Sequence, residues 1–491
     1  MEQVQLTLSH WVFLLVILSI FVSIGFRKGV IVPSIVGTLM LGLLSDNSPD
    51  GFLNSIIFGV QVVFRALLNA GESLFDIMLV IALMVAMLKS LQAQGADKMM
   101  VAPMRKLMVG PWTAFFVLGI TMYIAAAFFW PTPAVALVGT VLIPVAMQVG
   151  LPAIGAAVAV NLFGHGMALA ADPVIQGANR LTAGAAGIDV QQILPYSMLF
   201  SLIVGVVAIA IAVYTIRRDM KSGAIEIPKG DTVFTKPVEE TAVGRDTTAG
   251  AIAEEVPPGQ YAKLFAIAVP IVLLSIALLM IYRAVFLPDQ AIRGGGATAL
   301  LGGSATVLLV LSSFAAHGSK ALDGISTHTR DGFFFAIKIF APIIPIAGFF
   351  FLGHPGHAET VMGSGTPGFL FDIGNNVGQY IDGNVVLLAF GIALIGLLSG
   401  MDGSGFSGLP LVGSLSGALG TGAGVDIAVL AALGQVCAIF AGGGTLAAWA
   451  FGVAADAGIA GVNPQELVRR NFVPVMTGVL IATVVAIIIM I

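Results

Sequence analysis

Five stretches of this chain are apolar over 15 residues or more, with Asp76 the one charge among them: 11–26, 74–88, 199–216, 264–282 and 472–491. A helix rises about 1.5 Å per residue and the hydrocarbon core of a bilayer is about 30 Å thick, so runs of this order are the length that crosses it. They are continuous rather than alternating, which fits helices and not the strands of an outer-membrane barrel. Only 10% of the 491 residues are charged and 58% are hydrophobic. Soluble domains carry roughly 25% charge, so most of this surface faces lipid. The expected fold class is an all-α polytopic membrane protein.

The opening decapeptide "MEQVQLTLSH" has no basic n-region, so no cleaved signal peptide is expected and the first apolar run should stay as a membrane helix. The single cysteine, Cys437, lies in an apolar segment and excludes both a disulfide framework and a thiolate metal cluster. Residues 217–259 hold 14 of the 48 charged residues and no long apolar run, the composition of a solvated linker. The chain therefore divides into a membrane half at 1–216, a linker at 217–260 and a second membrane half at 261–491.

Lys and Arg accumulate on the cytoplasmic side of membrane proteins. Taking the clusters near 27–28, 98–106, 217–245, 320–330 and 469–470 as inside leaves mostly acidic loops outside. Arg65, Arg180, Arg283 and Arg293 are the exceptions. On this assignment the first half starts outside and ends inside, and the second does the reverse. Each half crosses an odd number of times, so the two are expected to be inverted repeats. "LVGTVLIPVAMQVG" from Leu137 and "LVGSLSGALGTGAG" from Leu411 match at an offset of 274, which also sets Asn161 on Gln435.

Each half carries a Gly/Pro/Ser-rich break, then a helix, a turn and a glycine-interrupted helix. The first break is "WPTP" at 130–133 and the second "GMDGSGFSGLP" at 400–410. The interrupted helices hold "FGHG" at 163–166 and "AGGGT" at 441–445. The segments around each break, 111–149 and 384–423, either cross fully or form re-entrant hairpins. That gives 14 spans, or 10 spans plus two hairpins. Non-helical backbone at membrane depth is tolerated only where protein or a water-filled cavity lines it. The hairpin form is favoured because it brings each tip to the depth of each glycine break. There, free N–H groups suit a carboxylate, and free carbonyls and hydroxyls suit a small cation.

A hairpin plus a broken helix in each inverted half, joined by a cytoplasmic linker, resembles the ion transporter superfamily of carriers, which includes citrate, dicarboxylate and gluconate permeases. The resemblance lies in the layout of the whole chain. This chain reads "PTP" at 131–133 and "GSGFS" at 403–407 where the dicarboxylate/sodium symporters carry a serine-asparagine-threonine tip. The resemblance implies cation-coupled uptake of an organic anion in a bacterial-type inner membrane, often by an elevator motion in a homodimer. Na⁺ or H⁺ would be the coupling ion, with no other cofactor and no nucleic-acid partner.

The candidate substrate-binding residues are Pro131, Thr132, Pro133, Asn161, Gly164, His165, Gly166, Ser404, Ser407, Gln435, Gly443 and Thr445. His165 lies between glycines and can titrate near neutral pH or donate to a carboxylate. Its bland reading is a satisfied structural histidine. Asn161 is one turn earlier on the same helix, and it and Gln435 read equally as ligand groups or as interhelical glue. Asp402 and Asp172 are candidate coupling-ion carboxylates, with a solvated loop acid or a cap the favoured reading of Asp172. Asp456 is expected to be solvated at the inner border, and Arg65 to belong to an interfacial helix. His354, His357 and Glu359 read as an incidental loop cluster. Walker A, H-E-x-x-H and nucleophile-elbow signatures are all missing, so an enzyme or ATP-driven pump is not expected. The expectation is a secondary carrier for a mono- or dicarboxylate. A cation/proton antiporter is the first alternative, and a channel or membrane scaffold the second.

Overall fold

The computed structural model describes residues 6–26, 28–225, 257–287, 290, 292, 295–381, 384–401, 403, 405–448 and 450–491. These are helical, with no strand among them. The first half runs α1 (Leu8–Gly25), α2 (Ile31–Leu43), α3 (Phe52–Gln92), α4 (Ala96–Val101), α5 (Pro111–Phe129), α6 (Pro131–Gln148), α7 (Ala153–Val160), α8 (Leu169–Ala171), α9 (Gly177–Ala186) and α10 (Val190–Lys221). The second runs α11 (Ala262–Phe286), α12 (Gly295–His317), α13 (Ala321–Phe340), α14 (Ile343–Phe351), α15 (Pro355–Met362), α16 (Phe369–Ile381) and α17 (Val385–Gly400). It ends with α18 (Leu409–Ala423), α19 (Ile427–Phe440), α20 (Phe451–Ala460) and α21 (Pro464–Met490). Among the described residues, nine helices are long and apolar enough to cross a membrane.

One offset organises this list. The first residues of α5 and α17, of α7 and α19, of α9 and α20, and of α10 and α21 are each 274 apart. The equivalent helices α10 and α21 run antiparallel. Asp219 at the end of α10 pairs with Arg470 at the start of α21, and Val204 further back on α10 lies against Gly478. The cores also exchange partners, with α9 packing on α18 and α6 on α20.

Burial sorts the helices into layers. In the windows that cover α7–α8 and α19, 94% of residues are buried, against 28% in Ala262–Met280 of α11. The outer helices expose apolar side chains such as Leu15, Leu274 and Ile488, as a lipid-facing surface requires. Helix α3 packs with α12 and α13, while α5–α10 pack among themselves and with α17–α21.

Three expectations change in detail. The helix expected at the interface around Arg65 is part of α3, one helix of 41 residues, about 60 Å long. "FGHG" does not break its helix. Residues Asn161–Ala168 continue it with wider hydrogen bonding, Leu169 N–H reaching Gly164 O five residues back, and the break comes at Asp172. The helix before the linker reaches Lys221, so residues 217–221 are helical.

Candidate functional site

The first hairpin turns on a single residue. Trp130 alone separates α5 from α6, with φ +70° and ψ 147°. Positive φ strains a bulky side chain, and the extended ψ is what a following proline imposes. Pro131 and Pro133 then occupy the first turn of α6, where N–H groups have no intrahelical acceptor and a proline loses nothing. This explains two prolines in an apolar stretch: they restart a helix. Trp130 is 2% exposed and its ring lies 5.2 Å from that of Phe406, so the two tips meet inside the protein. In the second tip Ser407 is buried. Asp402 and Ser404 lie outside the described residues.

Below the tips the two interrupted helices cross antiparallel. Asn161 Nδ2 donates to Gly444 O, and Gln435 Nε2 donates to Ala170 O at 3.1 Å. Donors and acceptors are related by the same 274 offset, so one amide-to-carbonyl contact is made twice. Around it the two crossings differ.

The Asn161 crossing carries charge. His165 Nδ1 lies 2.9 Å from Asp456 Oδ2, and both side chains are fully buried. Asn161 Nδ2 also donates to Asp456 Oδ2 at 2.7 Å, and Asn471 Nδ2 donates to Asn161 Oδ1 at 2.7 Å. On the other ring edge, His165 Nε2 faces Thr132 Oγ1 of the hairpin tip at 3.4 Å. Asp456 Oδ1 makes no hydrogen bond among the described residues. Close approach demands glycine at 452: a Cβ there would lie 2.4 Å from Gly443 O and 2.6 Å from the His165 ring.

The Gln435 crossing is neutral. Gln435 and Ser197 both donate to Asn179 Oδ1, at 2.9 and 2.7 Å, and Asn179 Nδ2 donates to Ala171 O at 2.9 Å. Where the first crossing has His165 and Asp456, the offset places Ile439 and Thr182 here.

The structure thus brings Thr132, Asn161 and His165 together, with Gly443 against the His165 carbonyl. Gly164 and Gly166 serve packing, admitting Met122 and Phe440. Thr445 spends its hydroxyl on Phe440 O of its own helix. Gln435 belongs to the neutral crossing. Asp172 anchors the start of α9, accepting from Gln176 and Ala178 N–H at 3.0 and 2.9 Å. His354 Nδ1 accepts from Gly356 N–H, and His357 Nδ1 meets Asn69 Oδ1 at 2.8 Å; burial, then the neighbouring His354, lowers the His357 pKa to about 4.

The expectation that Asp456 is solvated is overturned, because α20 turns that face into the crossing and leaves its exposure at 0%. Asn471 was not singled out at all. A signal existed: the offset sets Asp456 on Thr182 and Asn471 on Ser197, a run of polar residues at matching places in apolar helices.

The hydrogen bonds of the His165 ring depend on its protonation form. With neutral imidazole, Nδ1–H donates to the carboxylate and the Nε2 lone pair accepts from Thr132. With imidazolium, both nitrogens donate and Thr132 Oγ1 accepts. Both forms keep the same two contacts, in a place where an unpaired polar group is costly. A cavity of about 290 Å³ lies between Tyr123, Phe163, Met167 and Ser201.

No family model matches the chain. A protein of Bacillus subtilis (strain 168) with the name uncharacterized membrane protein YhfA is 34% identical over 492 residues, covering 99% of each chain. Two solved structures share the fold at 14% identity and a TM-score of 0.51. One is the Alcanivorax borkumensis YdaH transporter, described as having an unusual topology, with 88% of each chain covered. The other is Neisseria gonorrhoeae MtrF, of a class of antimetabolite efflux pumps, with 93% of each chain covered.

Proposed function

We propose that this chain, which belongs to the family of the Bacillus subtilis membrane protein YhfA, is a secondary active transporter that moves a small organic anion, a mono- or dicarboxylate, with H⁺ as the coupling ion. The carrying observation is the fully buried His165–Asp456 pair at the crossing of two interrupted helices, touched by a hairpin tip. An ionisable residue inside a membrane bundle is costly and marks an ion or proton path. The transporter fold of YdaH and MtrF supports the same reading. Equal helix offsets and the antiparallel α10 and α21 support two inverted repeats, with the superfamily resemblance extending to an elevator motion of a homodimer. Residues 217–260 would then face the cytoplasm of a bacterial-type inner membrane.

Counterflow of labelled citrate, succinate and gluconate into proteoliposomes tests the carrier. Saturable exchange of at least one solute, faster with an inward proton gradient, is the expected result. Dependence on Na⁺ with no response to the proton gradient would reassign the coupling ion.

A second reading, cation/proton antiport, is favoured by the unpartnered Oδ1 of Asp456, since one carboxylate could hold a proton and a metal cation in turn. It requires Na⁺ or K⁺ to dissipate a pH gradient with no organic solute present.

A further inference from the structure

Arg180 is one of the few basic residues that the sequence places on the outer side, and the structure gives it an acidic partner across a boundary between helix groups. It lies on α9, within the group built from α5–α10 and α17–α21, and its guanidinium pairs with Asp76 on α3. The Arg180 side chain is 14% exposed and the Asp76 side chain 46%, so the carboxylate is the more accessible partner. Asp76 Oδ2 faces Arg180, while Oδ1 accepts the N–H of Ile77. One turn of α9 earlier, Gly177 sits between Ile77 of α3 and the ring of Trp130. Trp130 is buried, and its Nε1–H has no partner among the described residues. The hairpin tip thus places Trp130 beside Gly177, one turn of α9 from Arg180, and Thr132 beside His165.

A guanidinium presents a planar fork of donors matched to a carboxylate, whether that carboxylate comes from a side chain or a solute. We infer that Arg180 is the carboxylate-binding residue of the solute site, and that Asp76 holds its place until a solute carboxylate displaces it. The inference rests on the organic-anion reading and deepens it: a carboxylate solute would release α9 from α3 and so free one helix group to move against the other. An exchange of one carboxylate for another keeps Arg180 neutralised throughout, which spares the cost of a lone cation near lipid.

The test uses the full-length protein in lipid nanodiscs. Arg180 is labelled with phenylglyoxal, the modified peptide is quantified by mass spectrometry, and succinate, citrate or gluconate is added as the probe. In the wild-type protein at least one probe should protect Arg180. Asp76→Asn should speed labelling about fivefold without a probe, which corresponds to about 1 kcal/mol at 1.4 kcal/mol per factor of ten. It should also lower the probe concentration needed for protection by a similar factor. A probe that raises thermal stability or supports counterflow yet leaves Arg180 labelling unchanged overturns the inference while the carrier reading stands. Unchanged labelling in Asp76→Asn removes the place-holding role of Asp76. If no probe protects, stabilises or exchanges, the organic-anion reading falls and the inference falls with it. The wild-type arm keeps the test decisive even if the variant does not fold.

Discussion

His165 is held on three sides: by the Asp456 carboxylate, by the Thr132 hydroxyl and by the bare backbone of Gly452. Asp456 and Gly452 come from α20 and Thr132 from the first tip, so the ring reports on the placement of those two elements against the wide turn at Asn161–Ala168. Gly452→Ala tests that restraint. The added methyl would sit 2.6 Å from the ring, and overpacking of this kind costs about 1–3 kcal/mol. The variant should show lower thermal stability and slower solute exchange, whereas Gly458→Ala, at a position with open space, should show neither. At this scale the sequence exposed His165, Asn161 and Thr132 because polar groups between glycines or prolines stand out in an apolar run. Asp456 was hidden because an acid near a helix end reads as solvated. Only the fold shows that α20 is a half-length helix packed on α6 and α7.

The hairpins and the interrupted helices are the elements that can make a site, and both were legible as breaks in otherwise apolar helices. Their internal geometry was not. Glycines at 164 and 166 widen a helix without ending it, since wide turns depend on which neighbours, here Met122 and Phe440, fill the space. The second interrupted helix does end at its glycines, where Gly444 adopts φ +133°. Gly442 is also fixed by contact, because a Cβ there would lie 2.1 Å from Gly400 O, where the second tip begins. Tip meets tip through Trp130 and Phe406. If the tips separate when the site opens, a Trp130→Cys, Phe406→Cys pair in a Cys437→Ala background should trap the sealed form on oxidation. Exchange should fall by at least about tenfold and recover on reduction, a factor equal to about 1.4 kcal/mol. Full exchange by the oxidised, cross-linked protein would show that the tips need not part.

Across the whole molecule, one offset and two layers account for the arrangement. The sequence carried the offset in a short match from Leu137 and Leu411, and the helix starts repeat it at four further places. The exchange of packing partners between halves could not be read from periodicity, because the long spanning helices are apolar on more than one face. The ion pair of Asp219 and Arg470, reinforced by Glu466 on Arg470 at 2.8 Å, joins the ends of the two equivalent long helices. Reversing either charge should destabilise the protein by about 1–3 kcal/mol, between the values for exposed and buried pairs. The swap Asp219→Arg with Arg470→Asp should restore at least part of the loss, as read by thermal unfolding in detergent.

The most direct measurement compares wild type with Asp456→Asn in proteoliposomes, following solute counterflow and gradient-driven accumulation side by side. An amide keeps the hydrogen bonds to His165 and Asn161 within reach but removes the charge that the proton would neutralise. Coupling through the pair requires that the variant still exchange solute while a pH gradient no longer drives accumulation. Undiminished proton-driven accumulation by Asp456→Asn would contradict it.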